Sequence, residues 1–225
     1  MPTIRLTDRA LLTVQGPDAE HFLQNIVTAD LDRLEQGVAG PCALLTPQGK
    51  ILFDFLISRM AGGFRLDCRT DIAGDLRKRL MLYRLRAKVE IGESEQPLVA
   101  ARWDSDSSIS STESTALQVL RDGRFPEPAN VSRIYGAAAA TEDAEAYAQL
   151  RVRHGIAESG SDYALGDAFP HDVLLDQMGG VGFRKGCYIG QEVVSRMQHR
   201  GTARRRVLIV SSERPLPPAG TEVTA

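Results

Sequence analysis

The stretch Gly179 to Arg206, GGVGFRKGCYIGQEVVSRMQHRGTARRR, differs from the rest of the chain in composition and charge. Between Arg184 and Arg206 it carries seven Arg or Lys residues and one acid, Glu192, which gives a local net charge of +6. The whole chain of 225 residues has a formal net charge of −2. Such a cluster attracts an anion, for example phosphate, a carboxylate tail or RNA. It is equally typical of a solvated basic strand edge that opposes aggregation.

Cys187 lies within this stretch, two residues after Lys185. Adjacent cations favour the thiolate form of a cysteine, which suits a reactive thiol. Gly186 and Gly190 would let the backbone approach a ligand closely. The alternative is a small buried hydrophobic residue, which is the usual role of a lone cysteine. The charged surroundings leave these two interpretations comparable.

Composition and cysteine spacing limit the class of protein. Hydrophobic residues make up 43% and charged residues 25% of the chain, proportions typical of an ordinary globular protein. The near-neutral charge argues against a protein coated in nucleic acid. Three widely spaced cysteines, Cys42, Cys68 and Cys187, exclude a disulfide framework and a zinc finger and fit a reducing cytoplasm. No apolar run approaches the ~18 residues of a membrane span, and no secretory signal is visible. We therefore expect a cytoplasmic protein without membrane contact, with Cys42 and Cys68 in its core.

The hydrophobic pattern predicts an α+β fold. Apolar residues that alternate indicate strands, and apolar residues that recur every three or four positions indicate helices. The predicted elements are strand 11–15, a helix from Asp18, hairpin 42–60, strand 64–68, a helix over 72–83, strand 85–91, a Ser/Thr-rich loop over 104–115, a helix from Thr141 to His154, and strand 206–211. This order favours an antiparallel sheet with helices on one face.

Asp54 is a carboxylate within the otherwise apolar stretch Ile51 to Ile57. A carboxylate in such a strand either meets solvent at a sheet edge or is held for a ligand's donors or for proton transfer. The residues alone favour the edge.

A second basic run surrounds the end of the predicted helix over 72–83 and consists of Arg77, Lys78, Arg79, Arg84, Arg86 and Lys88. For Arg77 and Lys78, which face away from the apolar stripe, a solvated helix face is favoured, and Arg84 and Arg86 are weak ligand candidates. The sequence shows no dinucleotide or P-loop glycine pattern and no metal-binding spacing of histidines. We therefore predict no metal site.

The octapeptide Lys185-Gly186-Cys187-Tyr188-Ile189-Gly190-Gln191-Glu192 resembles the K-G-C-[YF]-x-G-Q-E signature of the YgfZ family of folate-binding, glycine cleavage T-protein-like proteins. This Cys distinguishes that family from true T-proteins, and the likeness spans nearly the whole chain. It also covers Arg196, Arg200-Gly201, Val14-x-Gly16-x-Asp18-Ala19-x-x-Phe22-Leu23-Gln24 with Thr28, Gly49-Lys50-x-x-x-Asp54, Tyr83-x-Leu85-Arg86-x-Lys88-Val89 and Arg151-x-x-x-Gly155-Ile156.

The resemblance implies a T-protein-like fold, a cloverleaf of α+β domains with antiparallel sheets around a central channel. Residues 1–40 and 116–200 would then form a discontinuous folate-binding domain, with a ferredoxin-like α+β unit inserted over 41–103. The Ser-rich loop 104–115 would follow that unit, and residues 201–225 would begin a C-terminal β-barrel. Because YgfZ relatives continue for several more strands, we expect most of that barrel to be missing.

The same resemblance implies tetrahydrofolate or a derivative as cofactor. The implied function is that of an accessory protein in iron–sulfur cluster assembly or repair, supporting enzymes that include the tRNA methylthiotransferase. Its expected partners are iron–sulfur client proteins or assembly factors, and a monomer is expected. Whether the protein is an enzyme stays open.

Two alternative functions remain. An aminomethyltransferase of the glycine cleavage type would need Asp54 and a lipoyl-protein partner but not Cys187, and the octapeptide argues against it. An RNA-binding module would use the cations from Arg184 to Arg206, here called the basic segment. It is less favoured because an aromatic-rich RNA platform is missing from the sequence.

By resemblance, Asp54 corresponds to the carboxylate that faces the pterin in T-proteins, which favours the ligand interpretation over the sheet edge. Cys187 corresponds to the cysteine that the iron–sulfur role requires. Pro170-His171-Asp172 departs from the Pro-x-Glu of many relatives, and its carboxylate is one methylene shorter. The basic residues from Arg184 to Arg206 suit the glutamate tail of a folate. The residues expected to bind folate at the channel mouth are Lys185, Tyr188, Gln191, Glu192 and Arg196.

Overall fold

The computed structural model describes residues 2–94, 98–103, 117–136, 140–141, 143–201, 203–213, 215–218 and 220–222. Within these ranges the strands are β1 (Thr3–Leu6), β2 (Arg9–Gln15), β3 (Val38–Leu45), β4 (Ile51–Met60), β5 (Gly63–Arg69), β6 (Glu90–Glu93), β7 (Val99–Trp103), β8 (Leu117–Asp122) and β9 (Val131–Gly136). The helices are α1 (Ala19–Gln24), α2 (Thr70–Arg84), α3 (Ala144–His154) and α4 (Gln191–Arg200). Short 3₁₀ turns cover Leu31–Arg33 and Glu127–Ala129.

The described strands form one sheet in the order β1-β7-β9-β8-β3-β4-β5-β2-β6. The pairing of β3 with β8 is parallel and short, with Val38 opposite Arg121 and Ala39 opposite Asp122. The other strand pairs within the described ranges are antiparallel. The predicted α+β class is confirmed, although the sheet is mixed where antiparallel sheets were expected. The predicted domain boundaries stay predictions.

The predicted β3–β4 hairpin is present. Its turn is closed by a hydrogen bond from Thr46 N to the carbonyl oxygen of Lys50, 2.8 Å long. Gly49 adopts a φ of 81°, which favours glycine. The strands on either side, together with α1 and α2, also lie where the hydrophobic pattern predicted them.

Other predicted boundaries were wrong. The last strand of that block begins at Glu90, not Leu85, because the chain turns at Leu85, where φ is 45°. Helix α3 is capped by Asp143, whose side chain accepts from Ala146 N, while the backbone N–H of Thr141 binds Thr3. The stretch 206–211 forms no strand. The predicted loop 104–115 lies outside the described residues.

Three groups of buried apolar side chains pack the helices and the segment after α3 against the sheet. Helices α1 and α2 cover β2, β4 and β5, with Leu23, Leu66 and Leu80 fully buried. Helix α3 covers β7 to β9 through residues such as Tyr147. The segment after α3, together with α4, covers β3 and β4 with Val194 at its centre. This third layer carries the octapeptide, so the core packing sets where the octapeptide lies.

Candidate functional site

Asp54 lies in the middle of the sheet, since β4 pairs with β3 on one side and β5 on the other. Its carboxylate accepts hydrogen bonds from the Ser159 hydroxyl at 2.5 Å and the Tyr163 hydroxyl at 2.9 Å. The sheet-edge interpretation of Asp54 was therefore wrong. Burial, with the Asp54 charge added to it, raises the pKa of the Tyr163 hydroxyl, which keeps that hydroxyl protonated as a donor.

The Asp54 carboxylate faces a small inner cavity of about 30 Å³. That volume holds one or two water molecules. Glu158 also lines it, and its carboxylate receives a hydrogen bond of 2.6 Å from Arg124. Burial alone would raise the pKa of Glu158, but the charges of Arg124, Arg133 and Arg9 outweigh it and hold that pKa at about 2. The inner cavity is thus small, and the carboxylates that line it are already paired within the protein.

A larger outer cavity of about 420 Å³ shares Pro41 and Met178 with the inner one. Three cations line it, from three distant parts of the chain: Arg33, Arg121 and Arg184. Its wall also includes the acids Asp30 and Glu35 and the apolar Val181 and Phe183. Such a mixture suits a ligand with a flat ring, hydrogen-bond donors and an anionic tail. Of these three cations, the sequence motif indicates only Arg184, because the pairing of β3 with β8 that brings Arg121 close leaves no local signal.

The basic segment is dispersed in the structure. Arg196 pairs with Glu192 at 2.6 Å on the surface of α4. Arg205 lies 3.1 Å from both Asp167 and Asp172. Arg206 pairs with Asp176 at 2.8 Å. Glu192 is already counted in the local charge of +6, so the three carboxylates of Asp167, Asp172 and Asp176 halve that charge, and the segment forms neither a single anion patch nor a basic strand edge.

Lys185 is bound by backbone. Its ammonium group donates to the carbonyl oxygens of Val27 at 2.8 Å and Ala29 at 2.7 Å, and it lies 5.1 Å from the centre of the Tyr188 ring. Burial lowers the pKa of Lys185 to about 8. A side chain at Gly182 would come within 2.6 Å of the Lys185 stem, so only glycine leaves room for it. We name these contacts of Lys185 with Val27, Ala29 and Tyr188 the lysine clasp.

The other side of the octapeptide is fixed to the β3–β4 turn. Gly190 has a φ of 79°, and a Cβ there would lie 2.5 Å from the carbonyl oxygen of Thr46. The Tyr188 side chain is buried, which raises the pKa of its hydroxyl. The Gln191 side chain accepts from Tyr188 N at 3.3 Å. Cys187 lies between these two attachments and is exposed.

Cys187 is the exposed thiol of the chain's three cysteines. Cys42 and Cys68 are buried, as predicted. Burial raises the pKa of Cys42 to about 11 and that of Cys68 to about 12, so both remain thiols at neutral pH. The buried-hydrophobe interpretation of Cys187 was therefore wrong, and its thiol is accessible from the surface.

The predicted folate-binding residues do not gather around either cavity. Among the described residues that line the inner and outer cavities, Asp54 and Arg184 are present, and the octapeptide side chains are not. Asp172, which stands where many relatives have Glu, is buried and accepts from Phe169 N. A folate role for Lys185, Tyr188, Gln191, Glu192 and Arg196 stays a prediction.

The described side chains include no group of three or more His, Cys, Asp or Glu placed to hold a metal ion. Within the same residues, no helix has the length and apolar character needed to cross a membrane.

Comparison with known proteins gives the family. The mitochondrial iron–sulfur cluster assembly factor IBA57 of Mus musculus is 33% identical over 248 residues, covering 96% of this chain and 68% of the mouse protein. The chain belongs to the IBA57 family. The human IBA57 protein is 32% identical over 243 residues with the same two coverages, 96% and 68%. No protein-family model matches the chain.

Other IBA57 relatives are longer. The homolog of Chaetomium globosum is 34% identical over 241 residues, which are 90% of this chain and 54% of that protein. The chain therefore spans between about half and two thirds of these relatives. The IBA57 proteins belong with YgfZ to the folate-binding, T-protein-like family, so the resemblance identified the wider family correctly.

A solved structure matches the fold. The crystal structure of the glycine cleavage system aminomethyltransferase T from Bartonella henselae has a TM-score of 0.62 and 16% identity, covering 88% of this chain and 63% of that one. The T-protein-like fold is thereby confirmed.

The expected cytoplasmic location was wrong, since these IBA57 relatives are named as mitochondrial. Free cysteines indicate a reducing environment and do not identify the compartment.

Proposed function

We propose that this IBA57-family protein supports the assembly of iron–sulfur clusters on client proteins in mitochondria, with Cys187 as the residue that meets the cluster or its carrier. The observation that carries the proposal is the presentation of Cys187. Its loop is attached on one side through Lys185 and on the other through Gly190, and the thiol between them is exposed. An exposed thiolate is a preferred ligand for iron–sulfur clusters.

The position of Cys187 also argues for transient contact. The described residues around it offer no further group of metal ligands, and one thiolate alone cannot hold a cluster, which takes four protein ligands. The remaining ligands would come from a partner. The proposed partners are therefore iron–sulfur assembly factors or clients, the tRNA methylthiotransferase among them.

The test is complementation in a strain that lacks the gene. Wild type should restore the activity of a [4Fe–4S] enzyme, and Cys187→Ala should not, at equal protein level and thermal stability. Cys68→Ala, which removes a buried thiol that lines neither cavity, is the matched control and should restore activity. Full rescue by Cys187→Ala would refute the proposal.

We further propose that tetrahydrofolate binds in the outer cavity. Arg33, Arg121 and Arg184 suit its carboxylate tail, and Val181 and Phe183 suit its rings. The inner cavity, at about 30 Å³, is too small for a pterin unless Asp54 exchanges its bonds to Ser159 and Tyr163 for bonds to the ligand. When bound, tetrahydrofolate would supply a carrier for one-carbon units.

Titration with tetrahydrofolate tests this second proposal. Arg121→Gln and Arg184→Gln should each weaken binding about tenfold, since each removes a charge-assisted contact. Arg153→Gln, on α3 and outside the cavity, is the control. A change in tetrahydrofolate affinity in Asp54→Asn would indicate that the pterin reaches the inner cavity. Unchanged affinity in both cavity variants would show that folate binds elsewhere, and no binding to the wild-type protein would refute the proposal.

Variants at Asp54 and Cys187 also distinguish the aminomethyltransferase alternative from the iron–sulfur proposal. That activity would depend on Asp54 and be indifferent to Cys187. Glycine-dependent aminomethyl transfer that is lost in Asp54→Asn and kept in Cys187→Ala would favour the alternative. The RNA-binding alternative has lost support, because Arg196, Arg205 and Arg206 are paired with carboxylates.

A further inference from the structure

The turn that follows α2 exposes large apolar side chains. Leu85 is 86% exposed, and Leu82, three residues earlier, is 68% exposed. Exposure of this degree keeps apolar area in water, and single exposed leucines are common on protein surfaces. What distinguishes this pair is the backbone and the charge around it.

Leu85 adopts a backbone conformation that favours glycine. Its φ is 45° and its ψ is −108°, and the turn is closed by a hydrogen bond of 2.8 Å from Ala87 N to the carbonyl oxygen of Arg84. These dihedrals match the first central position of a type II′ turn, where glycine is strongly preferred. A leucine at this position strains the backbone and fixes its side chain outward. Strained residues of this kind cluster at functional sites.

Unpaired cations surround Leu85. Arg84, Arg86 and Lys88 form no ion pair and no side-chain hydrogen bond with any described residue. Two acids lie beside this cluster: the Asp18 carboxylate accepts from the backbone N–H of Lys88, and Glu90 lines the same surface. Neither acid forms an ion pair with the three cations. Elsewhere in the chain, Arg196, Arg205 and Arg206 of the basic segment are paired with carboxylates. A cluster that keeps a net positive charge is complementary to an acidic surface.

The surface beside Leu85 is concave. An open depression of about 520 Å³ is lined by the turn and by the end of β2, including Gln15, Gly16 and Glu90. Its lining offers no aromatic ring on which a nucleic-acid base could stack. A protein with a protruding acidic segment would fill it.

We propose that residues Leu82 to Lys88, the α2 turn, form a docking surface for a partner protein with an acidic surface. In this interface Leu85 enters an apolar pocket of the partner, and Arg84, Arg86 and Lys88 contact its carboxylates. The proposal does not depend on iron–sulfur chemistry at Cys187, so the two can fail separately.

Photo-crosslinking in cells tests the surface. A benzoylphenylalanine at Leu82 should give one major adduct, identified by mass spectrometry as an acidic protein. The double variant Arg84→Glu with Arg86→Glu should reduce its yield at least tenfold. The matched control is the same probe at Val152, which is 66% exposed on α3 between Arg151 and Arg153. That position should give no such adduct.

The variant Leu85→Gly separates docking from structure. It relieves the backbone strain, so thermal stability should be unchanged or higher, while the adduct at position 82 should fall at least tenfold. The proposal is overturned by no adduct at 82, by an adduct with lipid or nucleic acid, by one that persists after charge reversal, or by one that Leu85→Gly leaves unchanged.

Discussion

The ammonium group of Lys185 lies 2.7 Å from the carbonyl oxygen of Ala29, 156 residues earlier in the chain. This bond, with the one to Val27, ties the loop that presents Cys187 to the segment after α1. The octapeptide lysine thus has a positional role that its sequence context, a run of cations, does not reveal.

Removing the lysine clasp should free the Cys187 loop. Lys185→Met keeps the aliphatic stem and removes the donors. A nitroxide attached to Cys187 should then show faster motion by electron paramagnetic resonance. Gly186→Ala should leave the spectrum unchanged, since a side chain at Gly186 meets open space. Equal mobility in wild type and Lys185→Met would show that Gly190 and Tyr188 suffice to fix the loop.

Burial of Lys185 should make stability rise with pH in a defined window. Its pKa is lowered from 10.5 to about 8 in the folded protein, so between these values the unfolded chain binds more protons than the folded one. Stability from this group therefore increases from pH 8 to 10.5 and is flat below pH 8. Since the group is partly exposed, the gain is about 1–2 kcal/mol. Urea unfolding of wild type and Lys185→Met across this range isolates it, and parallel curves for the two proteins would contradict it.

Glu158 should stabilise the fold at neutral pH and lose that effect in acid. Its pKa is lowered from 4.5 to about 2 in the folded state, so its contribution is complete above pH 4.5 and disappears as pH falls through 2. Glu158→Gln leaves Arg124 and Arg133 without this charge, and at pH 7 it should cost on the order of 3 kcal/mol. Denaturant unfolding at several pH values checks this. A stability gap that does not narrow toward pH 2 would be inconsistent with the assignment.

Local patterns predicted β2 to β5 and α1 to α3, but they missed β1, β7, β8, β9 and α4 and said little about which strands are neighbours. The β3–β4 hairpin follows from its Pro-Gln-Gly turn, and α2 from the spacing of Leu76 and Leu80. The residues alone misplaced Asp54 at a sheet edge, because the partners of a strand depend on chain segments that periodicity does not connect. The alternation from Leu85 to Ile91 looked like a strand, and the II′ turn at Leu85 overrode it.

The site was only partly predictable for the same reason. The exposed Cys187 could be singled out from its motif and its charged neighbours. The basic segment looked like an anion site, but Asp167, Asp172 and Asp176, which lie 30 to 38 positions before their partners Arg205 and Arg206, fold back onto it. The outer cavity combines Arg33, Arg121 and Arg184, and Arg121 reaches it through the long-range pairing of β3 and β8.

The central claim is that Cys187 carries the function of this IBA57-family protein. Its most direct test is the [4Fe–4S] enzyme activity of the deletion strain, measured with Cys187→Ala and with Cys68→Ala at matched protein levels. The account predicts near wild-type activity with Cys68→Ala and activity at the deletion level with Cys187→Ala. Wild-type activity with Cys187→Ala would contradict it.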